Sequence, residues 1–108
     1  MDTSAFETLA EETLDALFDA LDDAIGDDAD VDLENAILTI ELEDGRQYVI
    51  NKNAAAKEIW VSSPISGAAH YGFDETAGAW VSARDGRVMH ETLAQELAGV
   101  TGKSVELP

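Results

Sequence analysis

Leu38-Thr39-Ile40-Glu41-Leu42-Glu43-Asp44-Gly45-Arg46-Gln47-Tyr48-Val49-Ile50-Asn51 is the stretch that decides the fold. Leu38, Ile40 and Leu42 alternate with Thr39, Glu41 and Glu43, the period of two expected of a strand with one buried face. Asp44-Gly45 is a two-residue hairpin signal, because the favoured tight turn needs positive φ at its centre. The chain resumes as a strand over Arg46–Asn51, with Tyr48 and Ile50 turned inward and Asn51 outward. This pair is an antiparallel hairpin with one face for a core.

Working outward, Val31 and Leu33 alternate with Asp30, Asp32 and Glu34 as a strand before the pair. Further strands are expected near Glu58–Ser63, His70–Phe73 and Ala79–Ser82, with Ala54-Ala55-Ala56 as a loop and Asp85-Gly86 closing the series. At the N-terminus, Phe6, Leu9, Leu14, Leu17, Phe18, Leu21 and Ile25 recur close to the 3.6 period of a helix over residues 5–25. Ser4 and Glu7 fit a capping box, and Gly26 ends the helix. Met89, Leu93, Leu97 and Val100 give a second helix stopped near Gly102, and Val105 and Leu107 return to the core edge. Helix, consecutive strands, then helix is an α+β two-layer sandwich. Each helix has a single apolar stripe, so both belong on one face of an antiparallel sheet of about six strands.

The chain of 108 residues is one domain, residues 1–108. Phe, Ile, Leu and Val make up 26 positions, about 24%, enough for a small core. The absence of cysteine excludes disulfides, thiolate metal sites and cysteine nucleophiles. A formal net charge of −17 argues against nucleic acid and against an anionic membrane surface, both of which need Lys and Arg. No stretch approaches the ~18 apolar residues of a membrane-spanning helix.

The charge is unevenly placed. Residues 1–45 hold 16 carboxylates and no Lys or Arg, whereas residues 46–108 hold 7 carboxylates and 6 cations. A salt-adapted surface would spread its acid more widely, so the pattern reads as one acidic face; a merely solvated face is the plain alternative. Glu7, Glu11, Asp15, Asp19 and Asp23 fall every four residues along the first helix, flanked by Glu12 and Asp22. Like charges at that spacing cost about 0.2–0.5 kcal/mol per pair. Asp22, Asp23, Asp27 and Asp28 also crowd the negative end of the helix dipole. No Lys or Arg within the segment relieves either effect, which suggests use by a cation or a basic partner. Carboxylates suit hard cations such as Mg²⁺, Ca²⁺, Mn²⁺ and iron. Asp28-Ala29-Asp30-Val31-Asp32 begins like a calcium loop, but Leu33 and Thr39 replace its required Gly and Glu.

In Glu58-Ile59-Trp60-Val61-Ser62 the alternation turns Ile59 and Val61 inward and projects Trp60 from the uncovered side. An exposed Trp is an interface anchor, with an ordinary rim residue as the alternative. Trp80 is expected in the core, and His70 and His90 have no partner at metal-ligand or triad spacing.

Phe6-Glu7-Thr8-Leu9-Ala10-Glu11-Glu12-Thr13-Leu14-Asp15-Ala16-Leu17 closely resembles the first helix of the frataxin family. Tyr48–Asn53, Lys57–Pro64 and Ser66-Gly67 resemble its central strands, in a form closer to the mitochondrial members, and Trp80, Asp85-Gly86 and Glu91–Leu97 resemble its last strand and second helix. Departures are Glu58 and Asn53 where Gln is usual, Ala54-Ala55-Ala56 in place of a Pro-containing turn, and His70 in place of a basic residue. The resemblance implies weak Fe²⁺ and Fe³⁺ binding through Glu11, Glu12, Asp15, Asp19, Asp22, Asp23, Asp30 and Asp32. Gly26 stands where some members carry an acid, with Asp27 as a substitute. It implies contact with a cysteine desulfurase and an iron–sulfur scaffold protein through Asn51, Asn53, Trp60 and His70. The protein is then an iron donor or regulator of cluster assembly; a ferroxidase or iron store, or a metal-independent acidic docking module, are the alternatives. A monomer is expected, with iron-dependent oligomers as a variant. A short tail beyond the second helix implies modest stability. Met1 directly before an acidic helix suggests a bacterial cytoplasm, the alternative being a processed mitochondrial matrix form.

Overall fold

A computed structural model describes residues 1–108. Its elements are α1 (Thr3–Ile25), β1 (Ala29–Glu34), β2 (Ile37–Leu42), β3 (Gln47–Asn53), β4 (Glu58–Ser63), β5 (Gly67–Asp74), β6 (Ala79–Ser82) and α2 (Met89–Thr101). The strands form one antiparallel sheet in the order β1-β2-β3-β4-β5-β6. The expected two-layer sandwich of six strands and two helices is the fold observed.

The core lies between the helices and the inner sheet face. Phe6, Ala10, Leu14, Leu17, Leu21 and Ile25 form the buried stripe of α1, and Met89, Leu93 and Leu97 that of α2. They meet Leu38, Ile40 and Leu42 of β2, Tyr48 and Ile50 of β3, Ile59 and Val61 of β4, and Tyr71 of β5. Trp80 is buried as expected, edge-on to Phe6 and Phe73, and its Nε1 donates to Thr13 Oγ1 at 3.0 Å. Val105 is buried and Leu107 packs against the same cluster, so the tail does return to the core edge.

Three details depart from the sequence reading. Helix α1 starts at Thr3, capped by Asp2, whose Oδ1 accepts from Ala5 N at 2.7 Å; Ser4 lies inside the helix. The earlier cap gains two helical residues and frees Glu7 for another partner. Asp44-Gly45 does not form the expected two-residue turn: only Gly45 has positive φ, and Glu43-Asp44-Gly45 is a three-residue loop in which Gly45 N donates to the Leu42 carbonyl at 2.9 Å. The two-residue turn with both residues at positive φ (52° and 59°) is instead Asn35-Ala36, between β1 and β2. Strand β5 is longer than His70–Phe73, and its first four residues pair on one side alone.

Candidate functional site

The acidic row on α1 is not straight. Residues four apart advance about 40° beyond a full turn, so the row winds around the axis. It starts at Glu7, half-buried on the flank over β3, and turns into solvent through Glu11, Asp15, Asp19 and Asp23, all exposed. Lys52, on the helix-facing side of β3 with Tyr48 and Ile50, reaches up to the start of the row. Its Nζ lies 2.8 Å from Glu11 Oε2 and 3.3 Å from Glu7 Oε2. The hydrogen bond to Glu11, then that to Glu7, holds the Lys52 ammonium above its ordinary pKa against the pull of burial. No Lys or Arg of the segment itself relieves the row, but Lys52 of β3 does so from outside it at the N-terminal end. Elsewhere Arg46 holds Asp44, and Lys103 Nζ sits 2.7 Å from Asp28 Oδ2.

Glu12, Asp15, Asp19, Asp22, Asp23 and Asp27 are exposed and in no ion pair. Asp30 and Asp32 are also exposed and unpaired, but alternation sends them to the outer sheet face while Val31 and Leu33 turn toward the helices. The single acidic face divides at the β1 edge: one group on the helix layer, the other on the far side of the sheet. No three carboxylate or imidazole groups converge as a ready-made metal cage. An added Cβ at Gly26 would run into the Asp22 carbonyl oxygen, so an acid there would require the helix end to shift.

The second candidate surface is the outer sheet face. Cross-strand pairing lines up Glu34, Ile37, Asn51, Trp60 and His70 across β1 to β5. Ile37 is 41% exposed, unusual for a large aliphatic side chain, and Asn51 makes no side-chain hydrogen bond within the chain. Trp60 does project from the uncovered side, but it is half-buried. The His70 ring stacks on it at 4.3 Å and 9°, and the indole Nε1 of Trp60 donates to Glu58 Oε1 at 3.0 Å. His70 Nδ1 is 3.9 Å from the same carboxylate oxygen. Asn53 serves its own turn, where its Oδ1 accepts from Ala56 N at 2.8 Å and closes the β3–β4 connection. Ile37, Asn51, Trp60 and His70 are thus one row, and Asn53 lies at its margin.

The Frataxin-like domain family model matches residues 1–103. The chain belongs to the frataxin family. It is 35% identical over 105 residues to the iron-sulfur cluster assembly protein CyaY of Thioalkalivibrio sulfidiphilus (strain HL-EbGR7), covering 95% of this chain and 96% of that protein. It is 34% identical over 107 residues to mitochondrial frataxin of Arabidopsis thaliana, covering 94% of this chain and 57% of that one. Among solved structures, frataxin from Psychromonas ingrahamii superposes with a TM-score of 0.86 at 23% identity, over 98% of this chain and 97% of that one. Trimeric frataxin from the yeast Saccharomyces cerevisiae, complexed with ferrous, superposes with a TM-score of 0.76 at 35% identity, over 87% and 86%. Sequence reasoning missed two residues at the frataxin surfaces. Lys52 was legible from its parity with Tyr48 and Ile50. Ile37 follows from the same alternation that buries Leu38 and Ile40.

Proposed function

We propose that this chain is an iron-carrying accessory protein of iron–sulfur cluster assembly, donating iron to the cysteine desulfurase–scaffold complex or regulating it. Relatives named for that assembly, and a yeast relative solved with ferrous iron, support the pathway and the metal. The observation that carries the reading is the string Glu12, Asp15, Asp19, Asp22 and Asp23, exposed and without a cation, beside Glu7 and Glu11, which share Lys52 as their one partner. Iron accepts carboxylate oxygen ligands. Without a preformed cage, such an array binds it weakly and releases it readily, which suits cargo rather than a resident cofactor.

In this reading the ridge also docks on a basic surface of the desulfurase, with Asp27 at its end and Asp30 and Asp32 extending it past the β1 edge. Asn51, Trp60 and His70, with Asn53 at the rim, face the scaffold. The protein works in the compartment of that machinery, the bacterial cytoplasm. Anaerobic isothermal titration with Fe²⁺ tests the metal: saturable binding that disappears in the Asp19→Asn/Asp22→Asn/Asp23→Asn variant is expected. No binding at millimolar iron would retire it. A desulfurase assay with and without the protein reads the sign of regulation.

Lys52 of the chain's own sheet already seats its ammonium on Glu7 and Glu11, and that contact favours a second reading, a docking module whose acid serves a basic partner alone. That reading expects partner binding that weakens with salt and is unchanged by chelator.

A further inference from the structure

The β5–β6 edge of the sheet differs from the β1 edge in one respect that the iron reading does not use. Strand β6 is four residues long and pairs with Tyr71–Asp74, so Gly67, Ala68, Ala69 and His70 have a neighbour only on the β4 side. No turn or loop hydrogen bond from elsewhere in the chain reaches these four residues. In an antiparallel strand, alternate residues direct N–H and C=O away from the paired neighbour. An edge of this kind is a template for another strand, and proteins guard it with Lys, Pro or inward charge. The β1 edge is flanked by Asp30, Asp32 and Glu34, whereas Gly67-Ala68-Ala69 carries neither charge nor bulk.

The free edge borders a groove of about 460 Å³, walled on its far side by Ala83, Arg84 and Arg87 of the turn after β6 and by Thr92 of α2. Two carboxylates also line it, and both are engaged. Asp85 faces Arg87 at 3.6 Å and accepts from its backbone N–H; Glu58 accepts from Trp60. Arg84 has no carboxylate partner in a chain with 23 of them, and its side chain makes no hydrogen bond. The groove therefore offers a strand's main-chain partners and one exposed guanidinium without a carboxylate partner, at the opposite sheet edge from the acidic helix end.

We propose that the β5 edge is a peptide-docking site. An extended segment of a protein partner adds as a short strand beside Gly67–His70 and sets one carboxylate against Arg84. Main-chain pairing supplies affinity, and the guanidinium supplies register and preference for an acidic guest. The site is separate from the ridge, meets the Trp60 row only at His70, and stands or falls apart from the iron proposal.

The probe is the capped peptide acetyl-Val-Thr-Val-Asp-Val-Thr-amide, titrated into the uniformly ¹⁵N-labelled full chain. Expected are amide shifts confined to Gly67–His70 and Ser82–Arg87, with slowed hydrogen exchange at the first group. Arg84→Glu, checked for an unchanged melting temperature, is expected to weaken binding about fivefold, the upper range for one exposed ion pair. A peptide with Lys for Asp is expected to weaken binding likewise. The same peptide N-methylated at alternate residues removes its strand donors and should not bind the unaltered chain. No shifts at millimolar peptide, shifts centred on Ile37 and Trp60, full binding of the N-methylated peptide, or indifference to Arg84→Glu would each overturn the proposal.

Discussion

Glu96 on α2 and the acids of α1 are alike in chemistry and opposite in placement. Glu96 is half-buried at the helix–sheet seam. Its Oε1 accepts from Tyr48 Oη at 2.9 Å and from Ser63 Oγ at 2.6 Å, and its Oε2 accepts from Ser66 Oγ at 2.6 Å. Ser63 Oγ in turn accepts from the backbone N–H groups of Ile65 and Ser66, so one carboxylate ties α2 to β3, β4 and the β4–β5 turn. Asp15, Asp19, Asp22 and Asp23 touch no donor and repel one another. The difference teaches which acid holds the fold together: the α2 carboxylate does, and the α1 carboxylates act against it.

The largest expected effect comes from breaking the first member. Hydrogen bonds to a charged group contribute about 1.5–3 kcal/mol each, and removing the acceptor leaves the buried Tyr48 hydroxyl unpaired. Glu96→Ala is expected to lose about 2–4 kcal/mol by denaturant unfolding. A loss below about 1 kcal/mol would mean that the seam is held by packing alone.

A pH titration probes the same seam without truncation. Burial first, and the Glu96 hydrogen bond second, push the Tyr48 phenol up to about 12 from its ordinary 10.0. A raised phenol pKa means that the folded chain keeps a proton which the unfolded chain releases. The contribution is complete below pH 10 and is lost as pH climbs from 10 toward about 12. The stability lost by the end of that window is about 2–3 kcal/mol. Burial likewise raises Tyr71, so the clean measurement is the difference between the unaltered chain and Glu96→Gln by absorbance at alkaline pH. The variant should ionise earlier, while staying above the ordinary value because burial is the larger cause. Superimposable curves would remove Glu96 from the account.

Glu96 also marks where sequence reading stops. Alternation, the Asp44-Gly45 turn and the two apolar helical stripes were enough for the sandwich, because a period of two or 3.6 is local information. The Asn35-Ala36 turn gave no such signal, since Ala is a poor occupant of positive φ and only the closed hairpin imposes it. Asp2 and Ser4 are both good caps, and the local sequence does not choose between them; in the structure Asp2 Oδ1 takes the Ala5 N–H. Glu96 lies 48 residues from Tyr48, and nothing in either neighbourhood announces the other. The acidic residues were legible as residues. Their division between helix side and outer sheet face needed the direction of β1, and the stacking of His70 on Trp60 needed the β4–β5 register.

The second member is sharpened by neutralising it. Asp19→Asn/Asp22→Asn/Asp23→Asn removes like-charged neighbours three and four residues apart and two carboxylates from the negative helix end. A gain of about 1–2 kcal/mol is expected at low ionic strength. It should raise the melting temperature by several degrees and shrink as salt is added. A variant less stable than the parent would show that these acids serve the fold, and the contrast with Glu96 would collapse.

The smallest effect falls on Lys52, which stands between the two classes by making part of the row resemble Glu96. Lys52→Met retains the aliphatic stem and deletes the ammonium, so Glu7 and Glu11 lose their common partner and face each other one turn apart. Exposed pairs of this kind contribute about 0.2–1 kcal/mol, and the expected loss of stability lies in that range, more at low salt than at high. The same change lengthens the uncompensated row by two carboxylates. If free carboxylates are what iron meets, the variant gains Fe²⁺ affinity or capacity while losing stability, the mirror image of the triple Asn variant. Should it lose stability with iron binding unaltered, the working ridge begins at Glu12 and the Lys52 clamp belongs to the fold alone.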